Sequence, residues 1–175
     1  LRALTPDGVL SDALLLRSAG GDPQDETCAL VEQTTKGPEH PLPQGYSFAD
    51  KDGTRRRNVR LQWWNSGART WRDIAMSVSD PSQLPQEDLP DSLRQSIYPG
   101  SAKPVFFGHY WLRGAPRLQA PNAICLDYSA GLDGPLVTFT LDPAEERLSL
   151  GALTIHDDAA PHRGLDADTL AGRIG

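Results

Sequence analysis

Apolar positions near the start of the chain recur at the spacing of helices. Leu14 and Leu15, and then Leu30 and Val31, fall on apolar faces, which predicts two short helices over 12–18 and 25–36. The segment Gly-Gly-Asp-Pro at 20–23 separates them because glycine and proline interrupt helices. Residues 37–45 hold three prolines and two glycines and are predicted to form a loop.

Further along, apolar and polar residues alternate as they do in β-strands. Segments 46–48 and 59–63 both alternate, and the turn sequence Asp-Lys-Asp-Gly at 50–53 lies between them. This order predicts a β-hairpin. Residues 64–77 are expected to add a short helix or an edge segment, and residues 80–99, with four prolines, are predicted to be irregular and exposed.

Three apolar runs in the second half predict three more strands, over 105–107, 123–126 and 136–141. Helices therefore come early in the chain and strands come late. This order alone predicts a mixed α and β domain.

Composition and charge narrow the classes of function. The 175 residues suit one domain, although 38% hydrophobic residues and 15 prolines suggest that part of the chain is loop or tail. A net charge of −6 disfavours general binding to nucleic acid or to anionic membranes. The sequence has no run of 18 apolar residues and no signal-peptide pattern, so we expect a soluble, cytoplasmic protein. Cys28 and Cys125 are expected to be reduced, buried thiols.

His109 is the first candidate for chemistry, because it follows an apolar strand and a glycine, Gly108, that would let the backbone turn. An imidazole at a strand end can bind a divalent metal, or it can hydrogen-bond a nearby carbonyl. Asp127 directly follows the next strand and could either accept a hydrogen bond from His109 or cap a turn.

The other histidines are expected to lie on solvated surface. His40 falls in the proline-rich loop, whereas His156 and His162 fall in an aspartate-containing tail beside Asp157 and Asp158. Such a tail can bind metal adventitiously, but it does not have the spacing of a metal site.

Basic and aromatic residues cluster at 55–64, where four arginines precede Trp63 and Trp64. Arginine forks bind phosphate oxygens and tryptophan faces can stack on a base, so Arg57, Arg60 and the more distant Arg72 are candidate phosphate ligands. Strand alternation would split the arginines between two faces, so that only part of the set could reach one ligand. An exposed hairpin with arginines in solvent is the alternative interpretation.

The order of motifs from residue 104 onward is more specific than any single motif. Val105-Phe106-Phe107-Gly108-His109 is followed by a loop, by Asn122-Ala123-Ile124-Cys125-Leu126-Asp127-Tyr128 and by a last apolar strand after Gly134. This order resembles the C-terminal part of bacterial calcineurin-like metallophosphoesterases, in the branch of serine/threonine phosphoprotein phosphatases and diadenosine tetraphosphatases. The resemblance implies an α/β fold with a mixed sheet, as part of a two-sheet, helix-flanked sandwich. It covers residues 1–142, including an irregular proline-rich insert near 78–103. Residues 143–175 are expected to form a polar tail.

The resemblance also implies a chemistry. In that family two divalent metals (Mn, Fe or Zn) bridge a water that attacks phosphorus, and His109 matches the last of the metal ligands. The family's motifs Asp-x-His and Gly-Asn-His do not occur in this sequence, and the one stretch with the spacing Gly-Asp-x-x-Asp, at 21–25, is not followed by the arginine-glycine that the family has there. The chain, which starts with leucine, is therefore expected to be a C-terminal half that is metal-free and inactive alone. The N-terminal half would be its partner, and the substrate would be a phosphorylated protein or a small phosphoester.

Two other functions remain open at this stage. The first is a non-catalytic binding or regulatory module that holds a phosphorylated ligand or partner through the basic hairpin. The second is a nucleic-acid binder built on the same cluster, which the acidic charge balance disfavours.

Overall fold

A computed structural model describes residues 5, 7–22, 25–50, 52–145 and 147–156. The helices in this part of the chain are α1 (Asp12–Ala19), α2 (Glu26–Lys36), α3 (Trp71–Ile74) and α4 (Asp91–Gln95). The strands are β1 (Glu39–Pro41), β2 (Phe48–Ala49), β3 (Arg55–Arg56), β4 (Asn58–Leu61), β5 (Ala75–Met76), β6 (Val105–Phe107), β7 (Ala123–Cys125), β8 (Leu136–Phe139) and β9 (Leu153–His156).

The two predicted N-terminal helices are confirmed, and side chains cap both of them. The Ser11 hydroxyl accepts from the N–H of Leu14 at the start of α1. The Asp25 carboxylate accepts from two N–H groups at the start of α2. These bonds satisfy donors that have no partner inside the helix, and they fix where each helix begins.

A three-stranded antiparallel sheet, in the order β1-β4-β5, forms the centre of the first half. The prediction of a loop over 37–45 is therefore wrong for β1, since Glu39–Pro41 pairs with β4. Proline is tolerated there because β1 is an edge strand. In β4, Val59 and Leu61 are buried, so Asn58 and Arg60 lie on the opposite face of the sheet.

The predicted hairpin has the right turn and the wrong partner strand. Residues 48–49 pair with 55–56 around the expected turn, whereas 58–61 leave the hairpin and pair with β1 and β5. The Asp50 side chain accepts from the backbone N–H groups of Asp52 and Thr54, and these bonds close the hairpin after only two strand residues.

The proline-rich segment 80–99 contributes to the core, so the prediction that it is exposed is wrong. It contains a 3-10 turn at Pro81–Gln83 and the helix α4. Its apolar side chains Leu84, Leu89, Leu93 and Ile97 are buried against Val59, Trp71 and Ile74. Proline sets the backbone of this segment, but spaced leucines determine what it packs against.

The second half contains two separate strand pairs. β6 and β7 pair in parallel, and β8 and β9 pair antiparallel. Strands are thus confirmed at all three predicted apolar runs, and β9 lies in the segment predicted as a polar tail. Residues 157–175 lie outside the described residues.

The fold is mixed α/β with several small sheets, which agrees with the predicted class at that level. The finer expectation, a two-sheet metallophosphoesterase sandwich, stays a prediction, as do the boundaries proposed at 78–103 and 142. No helix in the described ranges is long and apolar enough to cross a membrane.

Candidate functional site

The loops after β6 and β7 leave the same edge of their parallel pair. Phe107 is in register with Cys125, so His109 and Asp127 follow their strands by the same number of residues. Carboxyl ends of parallel strands are the usual location of binding residues in open α/β sheets. The structure therefore brings together the two residues that the sequence singled out on either side of this edge.

His109 itself makes the turn at the end of β6. Its φ is 72°, in the left-handed region, whereas Gly108 is absent from that region. The expectation that Gly108 would supply the turn is thus wrong: a β-carbon there would meet only the Asp127 β-carbon at 3.6 Å. Histidine is one of the few non-glycine residues enriched in the left-handed region, and such conformations recur at functional sites.

The His109 imidazole is biased toward its neutral form. Partial loss of hydration is the first cause that lowers its pKa from the usual 6.5, followed by the positive charges of Arg60 and Lys36. Asp127 acts in the opposite direction and raises the pKa. A neutral imidazole has a free nitrogen lone pair, which is the form that binds a metal ion.

Asp127 is held by backbone N–H groups of the two loops. Its carboxylate accepts from Trp111 at 3.2 Å and from Ser129 at 3.1 Å. Its backbone carbonyl accepts from Leu112 at 2.9 Å. Asp127 therefore ties the loop after β6 to the loop after β7, and among the described residues it influences His109 through charge rather than through a hydrogen bond.

A second candidate site, which we call the arginine groove, has a volume of about 630 Å³. Its lining residues come from the three-stranded sheet β1-β4-β5, from the hairpin β2-β3 and from the segments next to their strands. They are Glu39, Phe48, Asp50, Arg55, Arg56, Arg57, Asn58, Arg60, Met76 and Ser77. All four arginines line this groove, although Arg55 and Arg56 are neighbours on β3, where side chains alternate between faces; that only part of the set reaches one ligand stays a prediction. The chain leaves β3 and enters β4 through Arg57, and this change of sheet lets all four line one groove.

The arginines of this groove differ in their partners. Arg56 Nε pairs with Asp50 and Arg60 Nη2 pairs with Glu39, each at 2.8 Å. Arg55 Nε donates to the hydroxyl of Ser47 at 2.7 Å. Within the described ranges, the Arg57 guanidinium makes no hydrogen bond or ion pair, and the Nε of Arg60 is buried without an acceptor.

Arg72 lies apart from this groove and has a structural contact. Its Nη2 donates to the carbonyls of Ser82 and Leu84, both at 3.2 Å, and its Nε donates to Leu84 at 3.2 Å. Arg72 thus holds the turn at Pro81–Gln83 against α3.

Trp64 belongs to the core, and Trp63 is partly buried against it. The Trp64 ring stacks on Phe107 with centroids 4.6 Å apart, and Trp63 meets Phe107 edge-on at 5.0 Å. Tyr110 packs against Trp64 at 5.2 Å. Since these rings contact one another, their faces are engaged in packing, which disfavours the stacking of a nucleic-acid base on the tryptophan pair.

The remaining histidines and cysteines have local contacts. His40 Nδ1 lies 2.8 Å from the Pro41 carbonyl, and His156 Nε2 lies 2.9 Å from the Thr138 hydroxyl. Both cysteines are free thiols and buried, as expected, and burial raises the pKa of Cys125 to about 11. His162, Asp157 and Asp158 lie outside the described residues.

No group of three or more His, Cys, Asp or Glu side chains in the described ranges could hold a metal ion. Of the candidate ligands, His109 is the one at the edge of the parallel pair. Asp127 lies beside it but uses its carboxylate oxygens on backbone N–H groups.

Sequence reasoning missed the residues that adjoin the candidate sites from β1, β5 and α2. Glu39 and Met76 flank Arg60 in register on its two sides, and Lys36 acts on His109 from the end of α2. The pairing of Glu39 with Arg60 is a long-range contact that periodicity does not reveal.

Comparison with protein-family models, with curated proteins and with solved structures finds no match for this chain.

Proposed function

We propose that this chain is the C-terminal part of a metal-dependent phosphoesterase, to which it supplies His109 as one metal ligand. The observation that carries the proposal is the position of His109. It lies at the carboxyl edge of the parallel pair β6-β7, in the left-handed region, and opposite Asp127. Ordered side chains at such an edge are well placed to meet ligands contributed by neighbouring strands.

The chemistry of His109 suits this role. Mn, Fe and Zn ions accept imidazole nitrogen, and the ligand must be unprotonated. The positive charges of Arg60 and Lys36, with partial loss of hydration, favour the neutral ring. Asp127 fixes the two loops around His109 through its bonds to Trp111 and Ser129, which limits the positions open to the ring.

One imidazole does not make a two-metal site, and the described residues contain no further cluster of ligands. The proposal therefore assigns the remaining ligands to a partner segment, the N-terminal half of the enzyme. It assigns no catalytic step to this chain alone. When bound, the metals would activate water and stabilise charge on the phosphoryl oxygens. The substrate would be a phosphorylated protein or a small phosphoester.

The test is hydrolysis of p-nitrophenyl phosphate with added Mn²⁺. We expect no activity from this chain alone and Mn²⁺-dependent activity from the same chain extended at its N-terminal end by the sequence encoded upstream. His109→Ala in the extended protein should reduce kcat/KM by about 100-fold or more, because a lost ligand removes both metal affinity and charge stabilisation.

The matched control is His156→Ala, which removes an exposed imidazole whose contact is the Thr138 hydroxyl. It should leave activity unchanged. Full activity in His109→Ala, or an extended protein without Mn²⁺-dependent hydrolysis, would contradict the proposal.

A further inference from the structure

We propose that the arginine groove binds a phosphate-bearing anion, either a small phosphoester or a phosphorylated protein segment, without a metal ion. This site is distinct from the metal ligand proposed above, because neither His109 nor Asp127 lines the groove, although the charge of Arg60 also acts on His109.

The floor of the groove is the outer face of the three-stranded sheet. Arg60 lies between Glu39 on β1 and Met76 on β5 in register, and cross-strand partners project from the same face. Asn58 lies on that face two residues before Arg60, whereas Val59 is fully buried on the other. The sheet therefore fixes the base of Arg60 relative to the groove.

The wall of the groove is the short hairpin and the segment after it. β3 supplies Arg55 and Arg56, and Arg57 occupies the bend where the chain crosses into β4. Asp50, bonded to the N–H groups of Asp52 and Thr54, holds Arg56 against the turn. Wall and floor belong to different sheets, and the groove lies between them.

The charges of the groove favour an anion. Four arginines face two carboxylates, Glu39 and Asp50, which leaves two positive charges in excess. This local excess occurs in a chain whose net charge is −6. Each ion pair has one exposed and one less exposed partner: 57% of the Arg56 side chain and 17% of the Asp50 side chain are exposed, against 45% for Glu39 and 24% for Arg60. The exposed partner of each pair is screened by water, which limits what the pair contributes.

Arg57 is the residue most available to a ligand. Its guanidinium has no partner among the described residues, and its backbone is anchored because its carbonyl accepts from the N–H of Leu42 at 2.8 Å. A guanidinium presents a planar fork of donors that matches two phosphate oxygens.

The size and apolar lining favour a phosphate with an attached group over a bare ion. The volume of about 630 Å³ falls within the range of about 300–1,000 Å³ that is usual for small-molecule sites. Met76 adds a partly buried apolar side chain beside the arginines, whereas Phe48 is 5% exposed and belongs to the core beneath them. Nucleic acid fits less well, because the neighbouring tryptophan rings are packed on Phe107.

The test is isothermal titration of the chain, in EDTA, with two probes: inorganic pyrophosphate and a phosphoserine peptide compared with its unphosphorylated form. We expect at least one phosphate probe to bind and Arg57→Gln to weaken it by about tenfold, the loss expected for one charge-assisted contact. Arg57→Lys should recover only part of the affinity because it keeps the charge and loses the fork. Tighter binding of pyrophosphate indicates a small phosphate-bearing anion, and tighter binding of the phosphopeptide indicates a protein ligand.

The matched control is Arg117→Gln, which removes one positive charge from an exposed arginine whose backbone N–H donates to the Tyr128 hydroxyl. It should leave both affinities unchanged. Equal losses in Arg117→Gln and Arg57→Gln, binding of a single-stranded oligonucleotide but of neither phosphate probe, or no binding at all would overturn the proposal. Far-UV circular dichroism of each variant checks that the exposed substitutions leave the fold intact.

Discussion

Arg72, which the sequence offered as a phosphate ligand, has a structural role according to its contacts, and this role can be tested by substitution. Its guanidinium donates to the carbonyls of Ser82 and Leu84 at 3.2 Å, and the Leu84 residue is 2% exposed. Replacing it in Arg72→Met keeps most of the apolar stem and removes every one of these donors. The Leu84 carbonyl then loses its charged partner in a place with little access to water.

The magnitude follows from these contacts. A hydrogen bond from a charged donor contributes about 1.5–3 kcal/mol, and an unsatisfied buried acceptor costs about 1–3 kcal/mol. The bonds are long and the bond to Ser82 is exposed, so values near the lower ends apply. We expect Arg72→Met to lower the free energy of unfolding by about 2 kcal/mol.

Urea denaturation followed by tryptophan fluorescence measures this loss. Arg69→Met is the control, because Arg69 is exposed and its backbone N–H, not its side chain, bonds Asp73; its effect should stay within about 0.5 kcal/mol. Arg72→Met should also leave pyrophosphate affinity unchanged. If Arg72→Met were as stable as Arg69→Met and bound pyrophosphate more weakly, Arg72 would be a ligand-binding residue and our reasoning about it would be refuted.

Three other predictions follow from packing, capping and charge. Ile124→Ala, at a residue with 0% exposure in β7, should lower the free energy of unfolding by about 3 kcal/mol in urea, whereas Ile155→Ala, 50% exposed, should cost less than about 1 kcal/mol; similar losses would contradict the assigned core. The backbone N–H groups of Thr70 and then Arg69 hold the pKa of the Asp73 carboxyl below its usual value, so its stabilisation should be present above about pH 4 and lost as pH falls through the folded pKa. Thermal unfolding should therefore show Asp73→Ala destabilised at pH 7 and matching the wild type at low pH, and a constant difference would be inconsistent with capping. In the metal-free chain, proton NMR should place the pKa of His109 below 6.5, and Arg60→Gln should raise it whereas Arg117→Gln should not, because Arg60 is one of the charges that lower it; no shift in Arg60→Gln would rule out this coupling.

Local signals predicted the elements that depend on local interactions. The helices α1 and α2 have capping residues and apolar faces within the same segments, so sequence alone locates them. The turn at 50–53 was also recognisable because Asp50 bonds backbone groups two and four residues away. The apolar runs around β6, β7 and β8 also predicted strands, because an apolar run is a signal within one segment.

Long-range contacts decided the rest. The residues next to Val59 in the sequence do not show that β4 pairs with β1 and β5 rather than with β2. That pairing depends on burying Val59 and Leu61 against residues 84–97, which are distant in the sequence. The prolines of 80–99 suggested exposure, but the leucines between them complete the core. The arginine groove likewise depends on a change of sheet at Arg57, which strand periodicity cannot reveal.

The sequence predicted His109 as the candidate metal ligand but did not predict its backbone conformation. An apolar strand that ends before Gly-His placed His109 at a strand end, and the parallel register with β7 places Asp127 beside it. The left-handed backbone of His109 and the influence of Arg60 and Lys36 arise from packing between distant segments.

The most direct test of the central claim is a Mn²⁺ titration of the chain extended at its N-terminal end, as in the hydrolysis assay, followed by two-dimensional amide NMR. Paramagnetic Mn²⁺ broadens the signals of nearby residues even when it binds weakly. If His109 is a metal ligand, broadening should centre on residues 108–111 and 127–129 and disappear in His109→Ala. Broadening that leaves these residues unaffected, or that persists unchanged in His109→Ala, would contradict the assignment of His109 as a metal ligand.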